Sequence, residues 1–131
     1  MKYLSQEWAA EAQKRLRDQL DAEAMKHLTS SMLTIYQKCP DGMDKALFYK
    51  IVDGKFEEIA LKEGEFPEAE FVISGDYDTF ARISRAEIGS RSALMGGKLR
   101  LKGNMVKALS LSSVVDRLNK VLSEIPCEYA E

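Results

Sequence analysis

The feature that most constrains this chain is a change of apolar period near residue 30. Before it, Trp8, Ala12, Leu16 and Leu20 recur every four positions, while Glu7, Glu11, Lys14, Arg15, Arg17, Asp18 and Asp21 fill the other faces. That is the pattern of an amphipathic helix, and Ser5 is placed to cap its N-terminus. No glycine or proline interrupts this stretch, so the helix is expected over about 5–27. Its apolar stripe suits a core. Whether it covers one end of a sheet or joins a homodimer stays open.

From residue 30 the period is two. Met32, Thr34 and Tyr36 alternate with Leu33, Ile35 and Gln37, the habit of a strand rich in β-branched and aromatic residues. Pro40-Asp41-Gly42 breaks the run, and Leu47 to Val52 resumes it. Asp53-Gly54 is the best two-residue hairpin turn in the chain. Phe56 to Leu61 follows, then Glu63-Gly64, Phe66-Pro67 and a short strand over Glu70 to Ile73. Four strands on short turns predict an antiparallel meander.

After Gly75 the chain returns to helices. Asp76 or Asp78 can cap one through about Ala86, and a short one over Ser90 to Met95 ends at Gly96-Gly97. Lys98-Leu99-Arg100-Leu101-Lys102 is the cleanest alternation in the sequence, apolar on one face and cationic on the other. Gly103-Asn104 breaks it, a short helix spans Met105 to Leu111, and Ser112 or Ser113 caps a last one bearing Val114, Leu118, Val121 and Leu122. The 131 residues carry no internal repeat or linker, so residues 1–131 are expected to form one domain of class α+β.

Little in the chain supports catalysis. His27 is the only histidine, and no Gly-x-Ser-x-Gly elbow, P-loop or Gly-x-Gly-x-x-Gly occurs. A multi-histidine metal site is excluded, and no clustered metal ligands accompany His27. The chain is read as a non-enzyme without cofactor or metal. Cys39 and Cys127 belong to no CxxC pair and are read as free thiols. The basic segment lacks interleaved aromatics and the net charge is −2, which argues against nucleic acid. No signal-peptide stretch opens the chain and Tyr129-Ala130-Glu131 is no peroxisomal address. A cytoplasmic protein is expected.

Charge is unevenly distributed. Residues 53–78 hold nine acids and two bases, and residues 79–120 hold nine bases and two acids. The asymmetry fits attraction to an anionic surface, or two solvated faces whose charges mix in three dimensions. Apolar positions placed inward by periodicity include Phe71, Ile73, Phe80, Ile83, Ile88, Leu94, Met95, Leu99, Leu101, Met105, Leu109, Leu118 and Leu122. Periodicity does not distinguish a filled core from a lined cavity.

A resemblance does. Ala69-Glu70-Phe71-Val72-Ile73-Ser74, then Asp76-Tyr77-Asp78-Thr79-Phe80, and above all Ser92 to Met95 running into Gly96-Gly97-Lys98-Leu99-Arg100-Leu101-Lys102-Gly103-Asn104-Met105 resemble the sterol carrier protein 2 (SCP2) family over about residues 5–124. The resemblance implies an SCP2-like fold, an about five-stranded, mainly antiparallel sheet covered by helices with an apolar tunnel. It implies a carrier for a fatty acid, acyl-CoA, sterol-like or other lipid, with no cofactor. An accessory module offering a lipid or quinone-like intermediate to a partner enzyme is the alternative, and an acyl-ester or acyl-CoA enzyme a remoter one. The lipid-binding residues expected are Phe71, Ile73, Phe80, Ile83, Leu94, Met95, Leu99, Leu101, Met105, Leu109, Leu118 and Leu122. They are expected to line several hundred Å3, the usual size of a small-ligand site. Lys98, Arg100 and Lys102, extended by Arg91 and Lys107, are the candidate contact with an anionic membrane surface.

Overall fold

The computed structural model describes residues 1–130. Helix α1 covers Gln6–Gln19, and Ser5 caps it by accepting the Trp8 N–H at 3.1 Å. Trp8, Ala12, Leu16 and Leu20 are all buried, so the stripe is core. The helix stops eight residues short of the expected end. Leu20 turns extended, the Asp21 carboxylate accepts the Ala24 N–H at 2.8 Å, and Lys26 and His27 take positive φ. Residues 22–26 are good helix formers, but tertiary packing overrides propensity. The turn drops Met25 into the core and lays the backbone of Ala22 against Gly54, where a Cβ would meet the Ala22 carbonyl at 2.7 Å.

Strands β1 (Ser30–Gln37), β2 (Lys45–Val52) and β3 (Lys55–Glu63) form the expected meander. The hairpin turn between β2 and β3 has positive φ at both Asp53 (49°) and Gly54 (77°), the signature of a type I′ turn. The fourth strand departs from expectation. Strand β4 (Phe71–Asp76) leaves β3, crosses the sheet and pairs parallel with β1, Met32 opposite Phe71, giving the order β3-β2-β1-β4-β5. Strand β5 (Leu99–Lys102) then pairs antiparallel with β4, so the sheet is mixed but mostly antiparallel.

The crossover has a packing reason. Successive residues of a strand face opposite sides. Leu33 and Ile35 of β1, Ala46 and Phe48 of β2 and Val72 of β4 therefore share an outer apolar face, which Phe66 and Ala69 of the crossing segment cover. A tight β3–β4 hairpin would leave that face in water.

The inner face carries every helix. Besides α1 these are α2 (Tyr77–Ser84), α3 (Ser90–Met95), α4 (Met105–Ser110) and α5 (Ser112–Ser123). Val114, Leu118, Val121 and Leu122 of α5 are buried as its period requires. The expected caps at Asp76 or Asp78 and at Ser112 or Ser113 do not form. Asp76 precedes α2 without a side-chain cap, and only Leu111 separates α4 from α5, leaving no extended residue to act as one. Asn104 caps α4 instead, accepting the Lys107 N–H at 3.1 Å. The two ends of the chain meet: Tyr3 N–H donates to the Glu128 carbonyl at 3.0 Å, and Glu128 N–H to that of Met1 at 2.8 Å.

Candidate functional site

Between the inner sheet face and the helices lie two adjoining apolar compartments of about 80 and 70 Å3. Met32, Ile73, Ser90, Leu99 and Val115 line both, so the two share a wall of β1, β4, α3, β5 and α5. The positions follow from local structure. Ile73 pairs with Leu101 and Gly75 with Leu99 across β4 and β5, so alternation sends Ile73, Leu99 and Leu101 to the same side. Gly75 makes room, since a Cβ there would lie 2.6 Å from a Leu99 methyl. Gly97 (φ 79°) ends α3 and Gly103 (φ 135°) turns the chain from β5 into α4, which brings Leu94 and Leu109 to the same space.

The outer compartment is lined by Phe71, Ile73, Leu94, Leu99, Leu101 and Leu109, with Arg91, Ser112 and Asp116 as its polar members beside Ser90. The inner compartment takes Phe80, Ile83, Leu118 and Leu122, again with Ile73 and Leu99. Ten of the twelve expected residues are thus brought together. Met95 and Met105 are not; both are exposed and line neither compartment. Residues the sequence reading passed over are Val115, Leu111, Ala108 and the pair Tyr36 and Tyr49. Leu111, Val115, Leu118 and Leu122 fall at helical spacing, and that repeat is the signal that finds Leu111 and Val115.

The expected single space of several hundred Å3 is replaced by two small ones. Side chains from α4, α5 and the sheet close most of the volume, and the compartments fall short of the ~300–1,000 Å3 usual for small-ligand sites. The walls are mainly apolar, and the charged side chains among them are Arg91 and Asp116 of the outer compartment. Tyr36 and Tyr49 line the inner one, and burial pushes both phenols above their ordinary value, so they stay protonated. Neither His27 nor a cysteine lines either compartment. His27 is instead on the surface, its Nδ1 3.0 Å from Asp53, and both cysteines are free thiols. Among the described residues no group of acidic, histidine and cysteine side chains is placed to hold a metal ion. No helix there is long and apolar enough to cross a membrane.

Comparison with known proteins agrees with this geometry. The chain is 27% identical over 105 residues to the oleate-induced peroxisomal protein POX18 of Candida maltosa, covering 79% of this chain and 80% of that protein. It is 28% identical over 88 residues to hydroxysteroid dehydrogenase-like protein 2 of Bos taurus, covering 67% of this chain but 21% of that longer protein. A crystal structure of sterol carrier protein 2 superposes with a TM-score of 0.82 at 25% identity, over 95% of this chain and all of that one. Residues 9–116 match the model of the SCP-2 sterol transfer family, and the chain belongs to that family.

Proposed function

We propose that the protein is a non-enzymatic lipid carrier that shelters a fatty acid, acyl-CoA, sterol-like or other lipid between its sheet and helices. The observation that supports this reading best is the pair of compartments sharing Met32, Ile73, Leu99 and Val115, mainly apolar, with a few hydroxyls, the Asn119 amide and the Arg91 and Asp116 rim as their polar members. Burying ~10 methylenes at about 0.8 kcal/mol each supplies a gross term near 8 kcal/mol before ordering costs. Micromolar binding needs about 8.2 kcal/mol net, so a chain longer than ~10 methylenes has to be buried once the compartments merge. The lipid-binding residues proposed are Phe71, Ile73, Phe80, Ile83, Leu94, Leu99, Leu101, Leu109, Leu118 and Leu122, joined by Met32 and Val115.

The test has two arms. Mass spectrometry of an organic extract of the purified protein is expected to reveal a co-purified lipid. Titration with a fluorescent fatty acid is expected to saturate in the micromolar range or below, and a folded Leu101→Asp variant to bind at least tenfold more weakly, because it sets an unpaired carboxylate in the chamber. A folded Leu101→Asp protein that titrates like the parent overturns the assignment.

A second reading is favoured by the bovine relative, in which a segment similar to this chain forms about a fifth of a dehydrogenase-like protein. Here the chain presents its lipid to a partner enzyme. Co-purification with that enzyme distinguishes an accessory module from a free carrier.

A further inference from the structure

The charge asymmetry of the sequence survives folding. Acid-rich β3 and base-rich β5 are the two opposite edges of the sheet, so their charges do not mix. At the β3 edge the acids meet local lysines: Glu57 with Lys50 at 3.1 Å, Glu58 with Lys62 and Glu63 with Lys45 at 3.7 Å. At the other edge Lys98, Arg100 and Lys102 form no ion pair among the described residues, nor does Arg91 at the cavity rim. Only Lys107 of this group is engaged, donating to Glu70 at 2.6 Å.

Beside those unpaired cations lie large apolar side chains in water. Val106 is 79% exposed, Met95 76%, Met105 47% and Leu109 39%. They come from the end of α3 and from α4, the segments on either side of β5. Through Leu94, Ala108 and Leu109 the same two helices wall the outer compartment. Helix α4 has no buried residue at all. It is held by its flanks, by the Lys107–Glu70 pair and by the partly buried Ala108, with no fully buried side chain to anchor it.

We propose that this rim, apolar at α3 and α4 and cationic along β5, is the face on which the protein docks to a bilayer bearing anionic headgroups. Docking places Lys98, Arg100 and Lys102 against phosphates while Met95, Met105 and Val106 enter the acyl boundary. Entry of those side chains draws α4 from the sheet, which merges the compartments and opens them towards the lipid. The assignment follows from charge complementarity together with apolar exposure at one place, and it explains why a chamber too small for a lipid is walled by the least anchored helix. It rests on the lipid-carrier reading.

Vesicle sedimentation tests it without any ligand being bound. Phosphatidylcholine vesicles are compared with vesicles containing phosphatidylglycerol, at low and high salt. The parent protein is expected to pellet with the anionic vesicles at low salt and to be largely released at high salt. Arg100→Gln and Lys102→Gln are expected to weaken association about fivefold each. A Met95→Asp, Val106→Asp double variant is expected to lose it, while still titrating the fluorescent fatty acid in detergent-free buffer as the parent does. Hydrogen exchange of the α4 amides is expected to quicken on the anionic vesicles. Equal pelleting in all conditions, full pelleting of the double variant, or no pelleting of the parent overturns the docking face, and the last outcome transfers the patch to a protein partner. Unchanged α4 exchange on bound vesicles overturns the opening step. Failure of fatty-acid titration with vesicle association intact counts against the carrier reading instead.

Discussion

Gly103 carries a constraint that no other residue type meets. Its φ of 135° lies outside the range of L side chains, and a Cβ there would sit 2.8 Å from the Glu70 carbonyl and 2.9 Å from the Phe71 ring. Gly103→Ala is expected to cost about 1–3 kcal/mol in urea unfolding, from backbone strain and contact together. Trp8 behaves oppositely. It is fully buried, yet its indole N–H has no partner, and an unmade buried hydrogen bond costs about 1–3 kcal/mol. Trp8→Phe therefore forfeits area but removes that penalty, and is expected to cost far less than the ~3–5 kcal/mol of Trp8→Ala; the same unfolding curves measure both. Glu70 has a pH signature. The hydrogen bond from Lys107, then the one from Ser30, hold its carboxyl below the ordinary glutamate value. A lowered folded value means stability that is present above the unfolded value and lost as pH falls through the folded one. Glu70→Gln is expected to lower thermal stability modestly at neutral pH, the pair being partly exposed, and to converge with the parent in acid, so that the acid limb flattens. Thermal melts across the acid range of both proteins measure it.

At the scale of elements, α1 and α4 are opposite cases. The first inserts Trp8, Ala12 and Leu16 into the core, whereas α4 buries no residue fully and packs on it only through Ala108. Amide exchange in α4 is expected to be fast and in the central strand β1 slow, and a saturating lipid is expected to slow α4 selectively. The contrast also explains what the sequence disclosed. Three turns of α1 repeat one face often enough to be read, and the alternation of residues 98–102 places Leu99 and Leu101 inward. Helices α3 and α4 have six residues each, under two turns, too few to define a face by period. Met95 and Met105, inward by period, lie outward. The true end of α1 was masked by the helical propensity of residues 22–26. The parallel partner of β4 was not legible because alternation says which way a side chain points but not which strand lies beside it.

For the whole molecule, the cavity's lining was largely legible but its volume was not. Each inward residue is a local fact of period, whereas empty space is what remains after five helices settle on one sheet. If a lipid enlarges that space it binds the native chain alone, so ligand at one hundred times its dissociation constant is expected to add about 2.7 kcal/mol of stability. A rise in melting temperature that grows with lipid concentration checks this, and a fixed melting temperature refutes it.

The meeting of the two chain ends sets a schedule. Tyr3 and Lys2 are tied to Glu128, and at ~5–20 residues per second a ribosome makes the second partner roughly 6–25 s after the first. Throughout that interval the residues ahead of α1 have no partner strand to join. The meander of β1 to β3 can form early, but β1 keeps an open edge until β4 is made, and the cavity has no outer wall until β5 and α4 follow. The nascent β1 edge is therefore exposed for the whole time that residues 38–70 are being made, and the apolar compartments close only after the sheet they rest on.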